Sequence, residues 1–270
     1  MSIRNYQPRR RERRGATGIQ NMVLFGLLGL SIALQMAYPL VEGEVLKVIT
    51  IATVCSAAAL MIFHGWISFG ARYAITYLII GFLGALTIEH IGLTTGWPFG
   101  KYSYDASLGL KIWQIPLIVP FAWLMMLHPM LIVARRFTSF WVFLYGGIGL
   151  MAWDLFLDPQ MVSAGRWSWE PSASHVPFQP EIPLSNAAGW LFAGMGLMAL
   201  LHIALPKERR KVGANTTAVN IFLQWTLFSG IIGNLFFFDR PGVAFIGGLI
   251  LGAVLIPYFF TLQLGRPDTV

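Results

Sequence analysis

The sequence predicts an all-α, polytopic membrane bundle of about eight transmembrane helices with both termini on the cytoplasmic side. Three observations carry that prediction. The chain is 56% hydrophobic and only 11% charged, with a mean hydropathy of +0.64, whereas soluble domains carry nearer a quarter of charged residues. Apolar runs recur along it, each close to the ~20 residues a helix needs to cross a bilayer. Its basic residues gather at the ends of those runs, as membrane topology requires, so the net charge of +7 does not point to nucleic acid.

Residues 1–20 read as a disordered, basic cytoplasmic tail, with Arg4, Arg9, Arg10, Arg11, Arg13 and Arg14 available to anionic lipid headgroups. The run Met22 to Leu40 is too long for a signal-peptide core, and no clean small-residue cleavage site follows, so it is read as the first span. The next spans are Val45 to Phe63, Ala71 to Glu89, Ile112 to Val133, Thr138 to Leu157, Leu184 to Leu205, Thr216 to Phe238 and Val243 to Leu262. Pro116 and Pro120 should kink the fourth span or the turn leading into it. Residues 21–264 then form a single transmembrane domain, followed by a short cytoplasmic tail, 265–270.

Charge asymmetry supports the count. With an even number of spans the arginine-rich tail, Arg72, Arg135, Arg136, the Lys207–Lys211 cluster and Arg266 all fall inside, in line with the positive-inside rule. Most carboxylates fall on the other side or at outer helix ends. Two outer loops are long, 91–111 with GWPFGKYSYD and 158–183 with DPQMVSAGRWSWE. Both are rich in aromatics and glycine, as shaped loops are.

The fifth span carries two carboxylates, Asp154 and Asp158. Four residues apart, they share one helix face, roughly 6 Å apart along the axis. An aspartate at the bilayer centre costs about 2.5–3.5 kcal/mol on insertion scales and is a functional-site hypothesis by default. Helix rise puts Asp154 about 24 Å from the cytoplasmic end of its span, and Glu89 and Asn234 about 27 Å up theirs. Asn186, beside Ser185, starts the sixth span. These groups converge on one layer near the outer interface. In hydrocarbon an acid holds its proton, because desolvation disfavours the charged form, and such an acid is a ready proton donor. Blander roles are open for each: Glu89 at the interface, Asp158 as a helix-end residue before Pro159, Asn186 as a helix cap, Asn234 as interhelical glue.

Aromatics crowd the same layer: Trp97, Phe99, Tyr102, Tyr104, Trp113, Trp153, Trp167, Trp169 and Trp190. They suit an interfacial belt or a wall whose ring faces steady a carbocation. The single cysteine, Cys55, excludes an internal disulfide framework or a cysteine metal site. No HxxxH pair and no glycine-rich nucleotide loop occurs, so neither a metal nor any other cofactor is expected. Gly146-Gly147 and Gly247-Gly248 suit close helix packing.

Gly96-Trp97-Pro98-Phe99-Gly100-Lys101-Tyr102-Ser103-Tyr104, Trp153-Asp154 with Asp158-Pro159, and Ile182-Pro183-Leu184-Ser185-Asn186 with Gly189-Trp190 together resemble the membrane carotenoid biosynthesis family. The likeness covers roughly Gly65 to Leu205. It implies a carotenoid 1',2'-hydratase, of the type acting on gamma-carotene-like or bisanhydrobacterioruberin-like substrates, adding water to the terminal double bond of a psi end group in a prokaryotic plasma membrane. The expected partners are a long-chain carotenoid substrate and membrane lipids, with other carotenoid enzymes as candidates.

On this reading Asp154 protonates the alkene, and Asp158 or Glu89 orients or deprotonates the attacking water. Trp97, Tyr102, Tyr104, Trp153, Asn186 and Asn234 line the substrate site. Two other readings stand beside it. One is an intramembrane isoprenoid transferase, for which DLFLD resembles a Mg²⁺–diphosphate site, although a second acidic cluster is missing. The other is a non-catalytic carotenoid-binding subunit.

Overall fold

The computed structural model describes residues 16–205 and 215–263. Residues 1–15 of the expected N-terminal tail, the Lys207–Lys211 cluster and the expected tail 265–270 lie outside the described residues. Among the described residues are eight long helices: α1 (Gly18–Ala37), α2 (Gly43–Phe69), α3 (Ala71–Thr95), α4 (Ile118–Phe137), α5 (Val142–Ser163), α6 (Leu184–Ala204), α7 (Thr217–Phe236) and α8 (Pro241–Gln263). All but α5 are long and apolar enough to cross a membrane; in α5, Asp154 and Asp158 lower the hydropathy. The chain is a helical membrane protein.

Several boundaries differ from the sequence reading, and three of the differences have a clear local cause. Helix α1 begins at Gly18, inside the expected tail, because Thr17 and Gln20 form a reciprocal capping box. Helix α4 begins at Ile118 instead of Ile112, because Lys111–Ile112 (β2) and Ile115–Pro116 (β3) pair antiparallel. Trp113 and Gln114 turn between them with φ of 51° and 68°, the left-handed pair a tight hairpin requires. Pro116 therefore precedes the helix. Pro120 falls in its first turn, where the missing N–H has no partner to lose; the proline inside α4 is Pro129.

The third difference matters most. Helix α5 does not stop before Pro159 but runs on to Ser163, so Asp158 belongs to the helix and not to the 158–183 loop. A proline at 159 cannot donate to the carbonyl of Leu155. The side chain of Gln179 does so instead, Nε2 to O at 3.1 Å, and Gln179 is completely buried. A loop amide thus fills the gap that would otherwise break the helix between the two aspartates and its end. Helix α3 likewise extends beyond Glu89 to Thr95, where Gly96 closes it in the left-handed conformation with φ 76°.

The two long loops at this end of the bundle are joined. Tyr102–Tyr104 (β1) pairs antiparallel with Trp167–Trp169 (β4), in the register Tyr102↔Trp169, Ser103↔Ser168, Tyr104↔Trp167. Alternation along a strand sends both serines to the exposed face and all four rings to the other. The ribbon is a small aromatic roof. Behind it, β5 (His175–Val176) and β6 (Gln179–Pro183) lead into α6. At the opposite end of the bundle a buried polar chain ties α2, α3 and α4: Tyr73 OH meets His128 Nδ1 at 3.0 Å, and His128 Nε2 meets His64 Nδ1 at 2.9 Å.

Helix α4 is the most buried of the seven candidate spans, and α5 packs closely against α6. The closeness depends on glycine. A Cβ placed on Gly147 would lie 3.0 Å from the Leu191 carbonyl oxygen and from the Met195 backbone nitrogen, and 2.6 Å from Met195 Cγ. Backbone cannot move aside as a side chain can. Gly147→Ala should therefore force α5 and α6 apart and lower stability by about 1–3 kcal/mol. Thermal unfolding in detergent, compared with Gly196→Ala in α6, where a Cβ meets nothing within 4 Å, checks this: the first should shift the midpoint and the second should not.

Candidate active site

Beneath the aromatic roof lies a cavity of about 430 Å³, within the range of small-molecule pockets. Its walls are mostly apolar. Two carboxylic acids face it, Glu89 from α3 and Asp158 from α5. Both are buried, at 4% and 3% exposure.

Glu89 is met by donors alone. Its Oε2 accepts from Tyr102 OH and Tyr104 OH, each at 2.7 Å, and its Oε1 accepts from Trp123 Nε1 at 3.0 Å. The roof and α4 thus clamp the α3 carboxyl from two sides. Burial first, and then the neighbouring Glu89 carboxyl, pushes both phenols well above their usual range, so Tyr102 and Tyr104 stay protonated as donors. Trp123 lies flat on Trp190, ring centroids 3.9 Å apart and 7° between planes. Trp190 meets Trp153 edge-on at 5.8 Å. Three indoles from three helices form one wall, an arrangement that fixes ring faces toward the space between them.

The aspartates are built differently. They lie on one face of α5, as their spacing predicts, and one amide bridges them. Asn186 Nδ2 donates to both, at 3.2 Å to Asp154 Oδ2 and also to Asp158 Oδ2. Trp167 Nε1, from the roof, donates to Asp158 Oδ1 at 3.1 Å. Asn186 is therefore no helix cap: the cap of α6 is Pro183, which makes no side-chain cap bond, and the amide of Asn186 holds the pair. Asp154, at 1% exposure, stands behind Asp158 and is not part of the cavity wall. Its Oδ1 has no hydrogen-bond partner among the described residues.

Of the residues expected at the substrate site, Tyr102, Tyr104, Trp153 and Asn186 line the cavity. Trp97 and Asn234 do not. Trp97 is 69% exposed, on the turn before the ribbon. Asn234 is fully buried, and its amide donates to Gly230 of its own helix at 2.8 Å, not to a neighbouring helix. Trp123 escaped the sequence reading, although helix rise from Ile118 puts it about 8 Å below the loop-bearing end, level with Glu89. Gln35, Tyr38 and Trp225 also line the cavity. They come from α1, the turn that follows it and α7, where no motif marked them.

The carotenoid biosynthesis protein family matches residues 43–256 of this chain. Among curated proteins, the bisanhydrobacterioruberin hydratase of Haloarcula japonica is 31% identical over 182 residues, 63% of this chain. The chain spans 58% of that relative's length. No solved structure matches.

Proposed function

The chain belongs to the carotenoid biosynthesis protein family, and from that premise we propose that it is a hydratase adding water across the terminal C1',2' double bond of an acyclic carotenoid. The observation that carries the proposal is the pairing of two unlike acid sites on one apolar cavity. Asp158, bridged to Asp154 by Asn186, and Glu89, held by three donors, line the same cavity. The relative's printed name, a hydratase of a carotenoid, supports the same chemistry. A cavity of this size suits one end of a long polyene.

Hydration of an isolated trisubstituted alkene begins with a proton. The proton of the aspartate pair leaves the Asp158 oxygen and bonds to C2', using the π electrons. C1' becomes a tertiary cation. The faces of Trp153 and Trp190 and the negative charge of Glu89 stabilise it. Water attacks C1' through an oxygen lone pair, and Glu89 takes the proton that water releases. Exchange with water in the cavity returns that proton to the aspartate pair. The sum is alkene plus water giving a tertiary alcohol, with no electron gained or lost.

On this proposal the roles divide differently from the expectation drawn from the sequence. Asp158 is the group at the cavity and acts as the acid. Asp154 is a positioning residue, bridged to it by the Asn186 amide. Glu89 serves as the electrostatic partner and base, with Tyr102, Tyr104 and Trp123 fixing its carboxyl. Asn186 sets the two aspartates against each other.

Expression in a pigment-producing host lacking the activity, followed by mass analysis of the pigments, tests the proposal. The expected product carries one added water per processed end. Recovery of the substrate bound but unaltered would instead mark a pigment-binding subunit. Topology has its own check. The positive-inside distribution supports a roof on the non-cytoplasmic side of the cell membrane. In a Cys55→Ala background, Ser172→Cys, in the loop after α5, should react with an impermeant thiol reagent in intact cells, and Ser139→Cys, between α4 and α5, only after lysis. The reverse pattern turns the acid site toward the cytoplasm.

A further inference from the structure

We propose that Gln35 and Thr53 form a second subsite, on the α1–α2 side of the same cavity, that donates hydrogen bonds to a neutral hydroxyl or keto oxygen carried by the carotenoid away from its reacting end. The inference rests on the reading that this cavity holds a carotenoid.

Both residues line the cavity, as does Trp225. Trp225 Nε1 donates to Gln35 Oε1 at 3.2 Å. An indole N–H is a donor only, so the amide oxygen must face it and the amide nitrogen must face elsewhere. That nitrogen, Gln35 Nε2, is shielded from solvent and meets no hydrogen-bond partner among the described residues, and the same is true of Thr53 Oγ1. Buried polar atoms are rarely left unpaired without a reason. Two such atoms on facing helices beside one cavity, one of them locked in orientation, describe an incomplete hydrogen-bonding site.

The two atoms belong to one layer. Ser31 Oγ donates to Ser56 Oγ at 3.0 Å, which fixes the antiparallel register of α1 and α2. One turn beyond Ser31 comes Gln35, and one turn before Ser56 comes Thr53. Gln35 and Thr53 come from α1 and α2, whereas Glu89 and Asp158 come from α3 and α5, so the two pairs meet the cavity from different helices.

Its chemistry excludes a charged group. The neighbouring wall is Met36, Val54 and Phe228, and an amide N–H with a hydroxyl cannot replace the hydration of an ion in such surroundings. A single neutral oxygen, accepting from Gln35 Nε2 and from Thr53, satisfies both. Helix α1 lies outside residues 43–256, the part that matches the family.

The test uses binding, so that it reads the subsite separately from hydration. The full-length protein in detergent is titrated, through quenching of its tryptophan fluorescence, with two acyclic polyenes that share the terminal double bond and differ by one hydroxyl further along the chain. Wild type should prefer the hydroxylated polyene by about tenfold, the factor one neutral hydrogen bond supplies. Gln35→Leu and Thr53→Val should each remove most of that preference; the ratio, read within one preparation, is insensitive to partial loss of folded protein. Equal affinity of wild type for the two polyenes overturns the proposal. So does a preference that survives both substitutions, and so does an equal loss of both ligands, which is the result if the two groups hold water. Failure to bind either polyene overturns the carotenoid reading of the cavity itself.

Discussion

Asp158→Asn should reduce hydration by about 10²–10⁴-fold, the contribution of a positioned general acid. Asparagine keeps the shape of the side chain and its place on α5, but it cannot give a proton to the alkene. Its oxygen can still accept from one of the two donors that now meet Asp158, Trp167 Nε1 or Asn186 Nδ2. The other donor faces an NH₂ group, at a cost of about 1–3 kcal/mol. The variant should thus fold with a modestly lower unfolding temperature and make almost no product, and the two readouts separate chemistry from stability. Asp154→Asn should be milder, on the order of tenfold in rate, because an acid still faces the cavity. Pigment chromatography of both purified variants decides the order. A larger loss in Asp154→Asn than in Asp158→Asn would return the acid role to Asp154.

Much of this site was legible in the sequence, for a physical reason. Charge is so costly in hydrocarbon that an intramembrane carboxylate marks itself, and helix rise alone brought Glu89 and the aspartates to one level. The alternation Tyr-Ser-Tyr and Trp-Ser-Trp already had the period of two that now forms the roof, but strand pairing between two distant loops cannot be read from either loop alone. The end of α5 was misplaced because Pro159 normally stops a helix, and its rescue by Gln179 is a contact twenty residues away in sequence. Depth is a one-dimensional measure. It put Asn234 with the acids, but rotation about the axis of α7 turns its side chain to Gly230. The same blindness hid Trp123, whose indole points inward to Glu89, and the wall from α1 and α7.

Glu89→Gln gives the sharper separation of structure from electrostatics. If the new amide oxygen replaces Oε2, its NH₂ group opposes Trp123 Nε1–H, donor against donor. If the amide flips, its oxygen accepts from Trp123 and its NH₂ group donates to the phenol oxygens of Tyr102 and Tyr104, which accept as readily as they donate. The flipped amide therefore leaves every partner satisfied, and stability should change by less than about 1 kcal/mol. What changes is charge. The negative group facing the developing cation is gone, and the two phenol hydrogens must turn away from residue 89. Hydration should fall on the order of 10²–10³-fold, the range seen when one preorganised electrostatic group is removed. Glu89→Leu offers the contrast, since it leaves Tyr104 and Trp123 unpaired at about 1–3 kcal/mol each and Tyr102 with only the backbone carbonyl of residue 89, and the roof should loosen with it. Thermal unfolding beside product analysis distinguishes the cases. A Glu89→Gln protein that unfolds like wild type and also hydrates like wild type would reduce Glu89 to a clasp for the ribbon, and the cation would need another counter-charge.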